Sequence, residues 1–399
     1  MITKNKDIYQ ESIELHKKLS GKLEIKSKIE IKDKHDLALA YTPGVAEPCR
    51  EIAKDKSKVY DYTIKKNSVA IVSDGSAVLG LGNIGAEASI PVMEGKAILF
   101  KEYGGVDAFP ICLKTQDTQE IINIVKNISP VFGGINLEDI SAPRCFEIEE
   151  ALQEIGIPVF HDDQHGTAIV VLAGLINASK IANKKLSDLK VVVSGAGAAG
   201  TAITKLLLCH GQEKNACTSV KEIIVCDSKG IISKDREDLK NNKYKQELIK
   251  ITNKNNLSGL LKNALKDADV FIGVSAPNVL KKEMIQIMNN KPIVFAMANP
   301  VPEIMPDKAK EAGVFIIATG RSDFPNQVNN VLVFPGLFRG ALDAGAKQIT
   351  NKMKIAAAYE LSKCVADSEL NTENILPSVL DKEVTKKIAL AISKAVKKE

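Results

Sequence analysis

Two acidic clusters, about one helix length apart, contain the residues of this chain best suited to chemistry. Glu138 and Asp139 are adjacent in NLEDI, and Asp162 and Asp163 are adjacent in FHDDQHGT. Both pairs lie beside apolar residues, so the four carboxylates would repel one another and resist burial. A hard cation held by oxygen ligands would remove that repulsion, and Mg²⁺ or Mn²⁺ is the expected type. The alternative is two solvated turns that hold no metal.

A glycine fingerprint for dinucleotide binding occurs twice. The second copy, GAGAAG at 195–200, follows the run VVV and opens a predicted helix, and Asp227 ends the next predicted strand. In such a unit the glycines let the backbone approach a pyrophosphate, and the acid can bind the ribose hydroxyls. The alternative there is ordinary tight packing of helix on strand. The first copy, GLGNIG at 80–85, is soon followed by Pro91, which would interrupt a long helix, so we predict a substrate-contacting loop instead.

The acid at the end of the second unit leaves the choice of cofactor open. Asp227 would repel the 2′-phosphate of NADP, which favours NAD. Ser228 and Lys229 follow it directly and could pair with such a phosphate. Both NAD and NADP therefore remain candidate cofactors.

The elements that must position these residues alternate between strand and helix. Alternation of this kind is typical of a parallel sheet with helices on both faces. We predict an α/β protein of two domains, residues 1–163 and 164–399, the second a Rossmann-type doubly wound parallel sheet with a helical C-terminal tail. The individual predictions are strands at 68–75, 96–102, 189–195, 221–228, 267–277, 291–300 and 313–320, helices at 118–128 and 165–184, a helix after Pro143, and a short buried strand at 157–163.

Composition limits the classes of function. The chain has 399 residues, 45% of them hydrophobic, which is enough for two domains with cores of their own. Its formal charge of +5 includes no arginine-rich tract, so nucleic acid is not an expected partner. Seven cysteines without a CxxC pair indicate free thiols in a reducing compartment. The N-terminus has no apolar signal core and the longest apolar run is half a membrane span, so we expect a cytoplasmic protein.

Two further residues have types that could transfer protons. Lys96 lies at the start of a predicted apolar strand, where partial burial would lower the pKa of its amine and make it a possible base. Most lysines in such positions simply extend the amine to solvent. Tyr41 opens a loop rich in proline and glycine, where a tyrosine usually packs with its hydroxyl exposed. Physical chemistry alone does not select either residue.

Several segments of the sequence, which follow one another in the same order along the chain, resemble the malic enzymes, most closely the short bacterial and archaeal type. The resemblance runs from about residue 35 to the end of the chain. It implies oxidative decarboxylation of L-malate to pyruvate and CO₂ with reduction of NAD or NADP, and a homodimer or larger assembly. The segments are YTPGVAEPCR (41–50), SDGSAVLGLGNIG (73–85), PVMEGKAILFKEYGG (91–105), NLEDI (136–140), FHDDQHGTA (160–168), VVVSGAGAAG (191–200), FAMANPVPEI (295–304) and NQVNNVLVFPG (326–336).

The resemblance also implies roles for individual residues. Three carboxylates match the ligands of the divalent metal, and Asp162 matches a residue beside them and the catalytic lysine. Lys96 matches the general base and Tyr41 the general acid. The implied metal ligands are Glu138, Asp139 and Asp163, the implied cofactor residues are Gly195, Ala196, Gly197, Ala198, Ala199, Gly200, Asp227 and Asn299, and the implied substrate residues are Asn299 and Asn330.

One departure from the family pattern concerns the substrate carboxylate. Animal malic enzymes have an arginine in the segment that corresponds to SDGSAVLG, whereas this chain has Ser76 and Ala77 there. Ser76 or backbone N–H groups of the first glycine loop are the candidate replacements. Three rival functions stay open: a malolactic enzyme that releases lactate with NAD bound, a metal-independent dehydrogenase, and a non-catalytic NAD(P)-binding sensor.

Overall fold

A computed structural model of the protein describes residues 7–78, 80–211 and 217–397. Its first sheet has four parallel strands, and the strands are buried or half-buried. They are, in spatial order, β2 (Asp107–Cys112), β1 (Ser68–Ser73), β3 (Gly134–Leu137) and β4 (Val159–His161). The helices of this half are α1 (Ile8–Leu19), α2 (Lys34–Ala40), α3 (Ala46–Lys54), α4 (Val59–Tyr62), α5 (Gly85–Gly104), α6 (Thr118–Ile128) and α7 (Arg144–Leu152).

The second sheet has six strands, and its order reverses at the strand before the second glycine fingerprint. All neighbours pair in parallel except the last, which is antiparallel. In spatial order the strands are β10 (Ile316–Thr319), β9 (Ile293–Ala296), β8 (Val270–Gly273), β5 (Lys190–Ser194), β6 (Glu222–Asp227) and β7 (Gly230–Ile231). The helices are α8 (Asp162–Ala182), α9 (Ala198–Leu207), α10 (Lys243–Ile251), α11 (Leu261–Ala264), α12 (Lys282–Ile285), α13 (Pro306–Glu311), α14 (Phe334–Asp343), α15 (Asn351–Ser362) and α16 (Lys382–Val396). The prediction of an α/β fold with a doubly wound sheet and a helical tail is confirmed.

Helix α8 is largely buried. It is long and apolar enough to span a membrane, yet 72% of that apolar window is buried inside the structure. Most of its residues, from Ala168 to Ala178, are buried in the main hydrophobic core. Its burial is therefore that of a core helix, and its first turn carries one of the two acidic pairs.

The predicted strand at 96–102 is wrong, because these residues lie in helix α5. Met93, Ala97, Phe100 and Gly104 are buried and recur every three or four residues, which is the period of a helix face against a core. Pro91 lies inside this helix and removes one backbone donor. Burial of the apolar face outweighs that loss, so the proline does not end the helix.

The C-terminal helices pack back onto the first sheet. The ring of Phe334 lies 4.7 Å from that of Phe100 on α5, and the ring of Phe338 lies 6.0 Å from that of Phe160 on β4. Gly134 leaves room for this contact, because a Cβ there would lie 2.9 Å from the ring of Phe338. Helix α14 therefore joins the two halves, while the domain limits at 163 and 164 stay a prediction.

The expectation of seven free thiols is wrong for one pair. Cys209 and Cys217 form a disulfide on either side of the segment that the structure leaves undescribed, with their Cα atoms 6.1 Å apart. The other five cysteines are free. Sequence spacing of eight residues gave no indication of this pair.

Candidate active site

The two acidic clusters meet because β3 and β4 are neighbours in the first sheet. Glu138 and Asp139 directly follow β3, and Asp162 and Asp163 begin α8 directly after β4. Carboxyl ends of parallel strands lie on one edge of a sheet, so side chains from both segments converge there. The two clusters are also joined directly, because the backbone N–H of Asp139 donates to Asp163 Oδ2 at 2.8 Å.

Three of these carboxylates form a cluster suited to a cation. Oxygen atoms of Glu138, Asp139 and Asp163 lie within 4.8 Å of one another. Burial, together with repulsion from Asp163, raises the pKa of Asp139 to about 8. Burial also raises the pKa of Glu138, and Lys96 opposes this only in part. The charged cluster is thus unfavourable in the chain alone, and a hard divalent cation would remove that cost. The donor set fits Mg²⁺ or Mn²⁺.

Lys96 projects from α5 into the same cluster. Its Nζ donates to Glu138 Oε1 at 2.9 Å, makes a short contact with Asp162 Oδ2, and lies 4.1 Å from the centre of the Phe334 ring. Burial lowers the pKa of Lys96, but attraction to Asp162 and Glu138 is stronger, so its pKa is raised. The predicted lowering of this pKa is therefore wrong for the chain alone. A cation on the same carboxylates would act in the opposite direction, because like charges disfavour the ammonium form.

Asp162 is held by the C-terminal half of the chain. Asn330 Nδ2 donates to Asp162 Oδ2 at 3.1 Å, and Thr167 Oγ1 donates to Asn330 Oδ1 at 3.2 Å. Asp162 is fully buried, and its second oxygen has no hydrogen-bond partner among the described residues. Gly166 permits this position, because a Cβ there would lie 1.9 Å from that oxygen. Asp162 is therefore placed to orient the Lys96 amine.

These residues line a cavity of about 500 Å³ between the two sheets. One wall carries Lys96 and all four carboxylates. The opposite wall carries Val274 and Ser275 after β8, Asn299 after β9, and Ala199 of the second glycine motif. Gly80 also lines the cavity, and a Cβ there would lie 2.9 Å from Asn299 O. Gly80 of the first glycine motif therefore lines this cavity. The expectation that Pro91 would interrupt a long helix is wrong, because α5 continues through it, and substrate contact by this loop stays a prediction.

The second glycine motif forms a cradle at the N-terminus of α9. Gly195 has φ of +119°, and a Cβ there would lie 2.5 Å from Val274 O. A Cβ on Gly200 would lie 1.8 Å from Gly195 O, whereas one on Gly197 would meet nothing within 4 Å. Two glycines thus permit close packing and the third leaves open space at a helix N-terminus. This arrangement fits a dinucleotide pyrophosphate.

Two residues that were predicted to act on the substrate, Tyr41 and Ser76, lie outside the cavity. Tyr41 is 68% exposed and is not among the described residues that line it. Ser76 is buried, contrary to the expected substrate contact: its hydroxyl donates to Asp74 and accepts from Arg144 Nη2 and the backbone N–H of Ser141. Its hydrogen-bonding capacity is used within the protein. The loop at 73–85 therefore offers Gly80, and not Ser76, to the cavity.

Sequence reasoning missed a buried polar network that supports the start of α8. Glu149 on α7 accepts from the backbone N–H of His161, from Gln164 Nε2 at 3.1 Å, and contacts His165 Nε2 at 2.9 Å. Burial alone would raise the pKa of Glu149, but attraction to His165 and their hydrogen bond lower it to about 2. The sequence feature that could have indicated a buried role for Glu149 is its place on the apolar face of α7, between Cys145 and Leu152.

We expect Glu149→Gln to destabilise the protein by about 2 kcal/mol at pH 7, because the ionised carboxylate accepts three hydrogen bonds in the fold. A lowered folded pKa means that this stability is fully present above the unfolded pKa near 4.5 and is lost as pH falls toward 2. Thermal unfolding at pH 7, 5, 4 and 3.5 should show wild type more stable than the variant at the first two values, and a narrowing difference in stability below pH 4.5. Glu150→Gln, at an exposed neighbour, is the control. A gap that widens below pH 4.5 would contradict this account.

Fold and site together define a class of two-domain oxidoreductases that combine a dinucleotide cradle with a carboxylate cluster suited to a divalent cation. Comparison with known proteins makes this specific. Residues 20–153 match the family model "Malic enzyme, N-terminal domain", and residues 164–397 match "Malic enzyme, NAD binding domain". The chain belongs to the malic enzyme family.

Similar proteins cover nearly the whole chain. The bifunctional malic/malolactic enzyme of Bacillus subtilis (strain 168) is 57% identical over 97% of this chain and 92% of its own length. The NAD-dependent malic enzyme of Geobacillus stearothermophilus is 57% identical over 94% of this chain and 77% of its own. Among solved structures, the malic enzyme from Pyrococcus horikoshii Ot3 is 50% identical with a TM-score of 0.91, covering 98% of this chain and 91% of that one.

Proposed function

We propose that the protein converts L-malate to pyruvate and CO₂ with reduction of NAD or NADP, and that it requires Mg²⁺ or Mn²⁺. One observation carries this proposal. Lys96 and the three-carboxylate cluster form one wall of a cavity whose other wall is the carboxyl edge of the dinucleotide-binding sheet. A small hydroxy acid in that cavity would contact the base, the cation and the nicotinamide together.

Different residues would bind the cation and the dinucleotide. Glu138, Asp139 and Asp163 would hold the cation, and the loop at 195–200 would hold the dinucleotide. When bound, the cation would polarise substrate oxygen atoms and the nicotinamide would accept the hydride.

The proton transfers belong to the chain itself. In its neutral form Lys96 accepts the hydroxyl proton of malate, while Asp162 and Asn330 fix the position of its amine. Asn299 offers its amide to the substrate from the wall that follows β9, and Asn330 lines the same cavity beside Asp162. Tyr41 returns a proton to C3 after decarboxylation.

The test is an assay of malate with either cofactor, with Mn²⁺ and with EDTA, in which reduced cofactor, pyruvate and lactate are all measured. Pyruvate and reduced cofactor in equal amounts, abolished by EDTA, support the proposal. Activity that survives EDTA would favour a metal-independent dehydrogenase. Absence of turnover would favour a sensor.

A second candidate function is the malolactic reaction, because one similar protein is named a bifunctional malic/malolactic enzyme. In that reaction the cofactor stays bound and returns its hydride to the product. Lactate formed without net reduction of the cofactor would identify it in the same assay.

We also propose a cytoplasmic homodimer in which Tyr41 acts in the cavity of the partner. Helices α1, α2, α3 and α4 bury no residue within the chain, and apolar side chains such as Leu39 and Val45 are exposed on both sides of Tyr41. An apolar segment of this extent needs a covering surface. A partner's cavity would bring Tyr41 to the substrate, which its own exposed position does not.

Hybrid dimers of two inactive chains, Lys96→Ala and Tyr41→Phe, test this arrangement. In a hybrid, one cavity would contain an intact Lys96 and receive an intact Tyr41 from the other chain, so about half of the wild-type activity should return. If Tyr41 instead served its own cavity, both cavities would lack one residue. Differently tagged chains, co-expressed and purified through both tags, give the hybrid. A hybrid as inactive as its parents would contradict the arrangement.

A further inference from the structure

The carboxylate at the end of β6 has no acceptor capacity left for a ribose. Asp227 Oδ1 accepts from Arg236 Nη1 at 2.7 Å and from the backbone N–H of Lys229 at 2.9 Å. Its Oδ2 accepts from Arg236 Nη2 at 3.1 Å and from Lys245 Nζ at 2.6 Å. A carboxylate offers about four acceptor sites. All of them are therefore used inside the protein, and Asp227 cannot bind ribose hydroxyls without losing a partner.

This cluster lies where the adenosine ribose of a bound dinucleotide would be. Ser194 of β5 pairs with Cys226 of β6, and the backbone N–H of Gly195 donates to Cys226 O at 2.8 Å. The phosphate cradle and the end of β6 are thus adjacent. In a sheet of this type the residues after the second strand of the unit lie beside the ribose 2′ position.

Charge at this position favours an anion. Three cations, Lys229, Arg236 and Lys245, surround two carboxylates, Asp227 and Asp238. Arg236 uses its Nε and both terminal nitrogen atoms on the two carboxylates. Burial would raise the pKa of Asp227, but the hydrogen bonds from Arg236 and Lys245 lower it to about 2, so the cluster keeps these charges at neutral pH.

The two lysines keep donors available. An ammonium has three N–H donors, and each lysine amine makes one ion pair, Lys245 with Asp227 and Lys229 with Asp238. Their side chains are 24% and 67% exposed, so both are partly accessible from solvent. A phosphate group would accept from both without breaking the Arg236 bridge.

We infer that Arg236 engages both carboxylate oxygens of Asp227 and balances its charge, so that Asp227 does not repel a phosphate. Lys245 and Lys229 would then bind the 2′-phosphate of NADP. The chain should therefore bind NADP in preference to NAD, although its acid at the end of β6 is the residue type associated with NAD. This inference rests on the proposed binding of a dinucleotide at 195–200, and it is independent of the reaction with malate.

Fluorescence titration of the protein with NADPH and NADH tests the inference without turnover. Wild type should bind NADPH about 10-fold or more tightly than NADH. Arg236→Gln releases acceptor sites on Asp227 and removes one cation, so NADPH binding should weaken about 10- to 100-fold while NADH binding is unchanged or tighter. Lys245→Gln, at a more exposed position, should weaken NADPH binding alone and serves if the first variant folds poorly.

A matched control is an ion pair at the amino ends of the strands of the same sheet, whereas Asp227 lies at a carboxyl end. Lys184 pairs with Asp269 at 2.7 Å with burial similar to that of the Arg236 pair, so Lys184→Gln should leave both affinities unchanged. Equal wild-type affinities, tighter NADH binding, or a parallel loss of both affinities in Arg236→Gln would overturn the inference. Absence of binding to either nucleotide would overturn it together with the cofactor part of the proposed function. Tight NADPH binding without malate turnover would support the inference and refute only the proposed reaction.

Discussion

Replacing Lys96 with alanine is expected to lower the rate of malate oxidation by about 100- to 10,000-fold, because the substrate hydroxyl loses its proton acceptor. Lys96 is the only lysine among the described residues that line the cavity. Its amine contacts both Glu138 and Asp162, and each of these segments carries a proposed metal ligand. An alanine side chain has no polar group that could hold a water molecule in place of the Lys96 amine. The effect should fall on the rate of hydride transfer more than on the binding of cofactor.

The Lys96 prediction has a control on the same helix. Lys101 on α5 is exposed and pairs with Asp107 at 2.6 Å, so Lys101→Ala should keep wild-type activity. Lys96→Arg, which keeps a charge that does not dissociate near neutral pH, should be as inactive as Lys96→Ala. Unchanged thermal stability would show that the fold survives. Malate oxidation at the wild-type rate in Lys96→Ala would refute the base assignment.

Asp163→Ala is expected to raise the Mn²⁺ concentration needed for half-maximal activity by about 100-fold or more. Its carboxylate is one of three in the cluster, and it also accepts the backbone N–H of Asp139. Even residues that only support metal ligands change affinity by about 10- to 100-fold when they are removed. Loss of Asp163 also reduces the repulsion that raises the pKa of Asp139, so the remaining cluster needs a cation less.

Mn²⁺ titration followed by activity and by electron paramagnetic resonance measures this effect. The exposed Asp188, which is not among the described cavity residues, provides the control variant Asp188→Ala with unchanged metal affinity. High Mn²⁺ should restore part of the activity of Asp163→Ala if the remaining two carboxylates still bind. An unchanged Mn²⁺ requirement in that variant would remove Asp163 from the ligand set.

The parts of the site that local sequence patterns encode could be predicted. Adjacent acids after apolar strands indicated the carboxylate cluster, and a glycine motif between a strand and a helix indicated the cradle at 195–200. Both depend on chain segments of fewer than ten residues and on the edge of a parallel sheet, which the strand–helix alternation already implied. The resemblance supplied the individual roles.

The remaining features depend on contacts that no local pattern encodes. A short apolar run at 96–102 fits a strand or a helix equally, and only the core spacing across α5 distinguishes them. Glu149 and His165 lie on different helices, so their pair follows from tertiary packing. Arg236 reaches Asp227 across a turn whose course the sequence does not specify. In the proposed dimer, Tyr41 reaches a cavity only through contact with a second chain.

The most direct measurement is an anomalous difference map from crystals grown with Mn²⁺, cofactor and a malate analogue. The account predicts one Mn²⁺ peak per chain, bounded by Glu138, Asp139 and Asp163, with the analogue between that peak and the Lys96 amine. A Mn²⁺ peak elsewhere in an active preparation, with the three carboxylates free of metal, would contradict it.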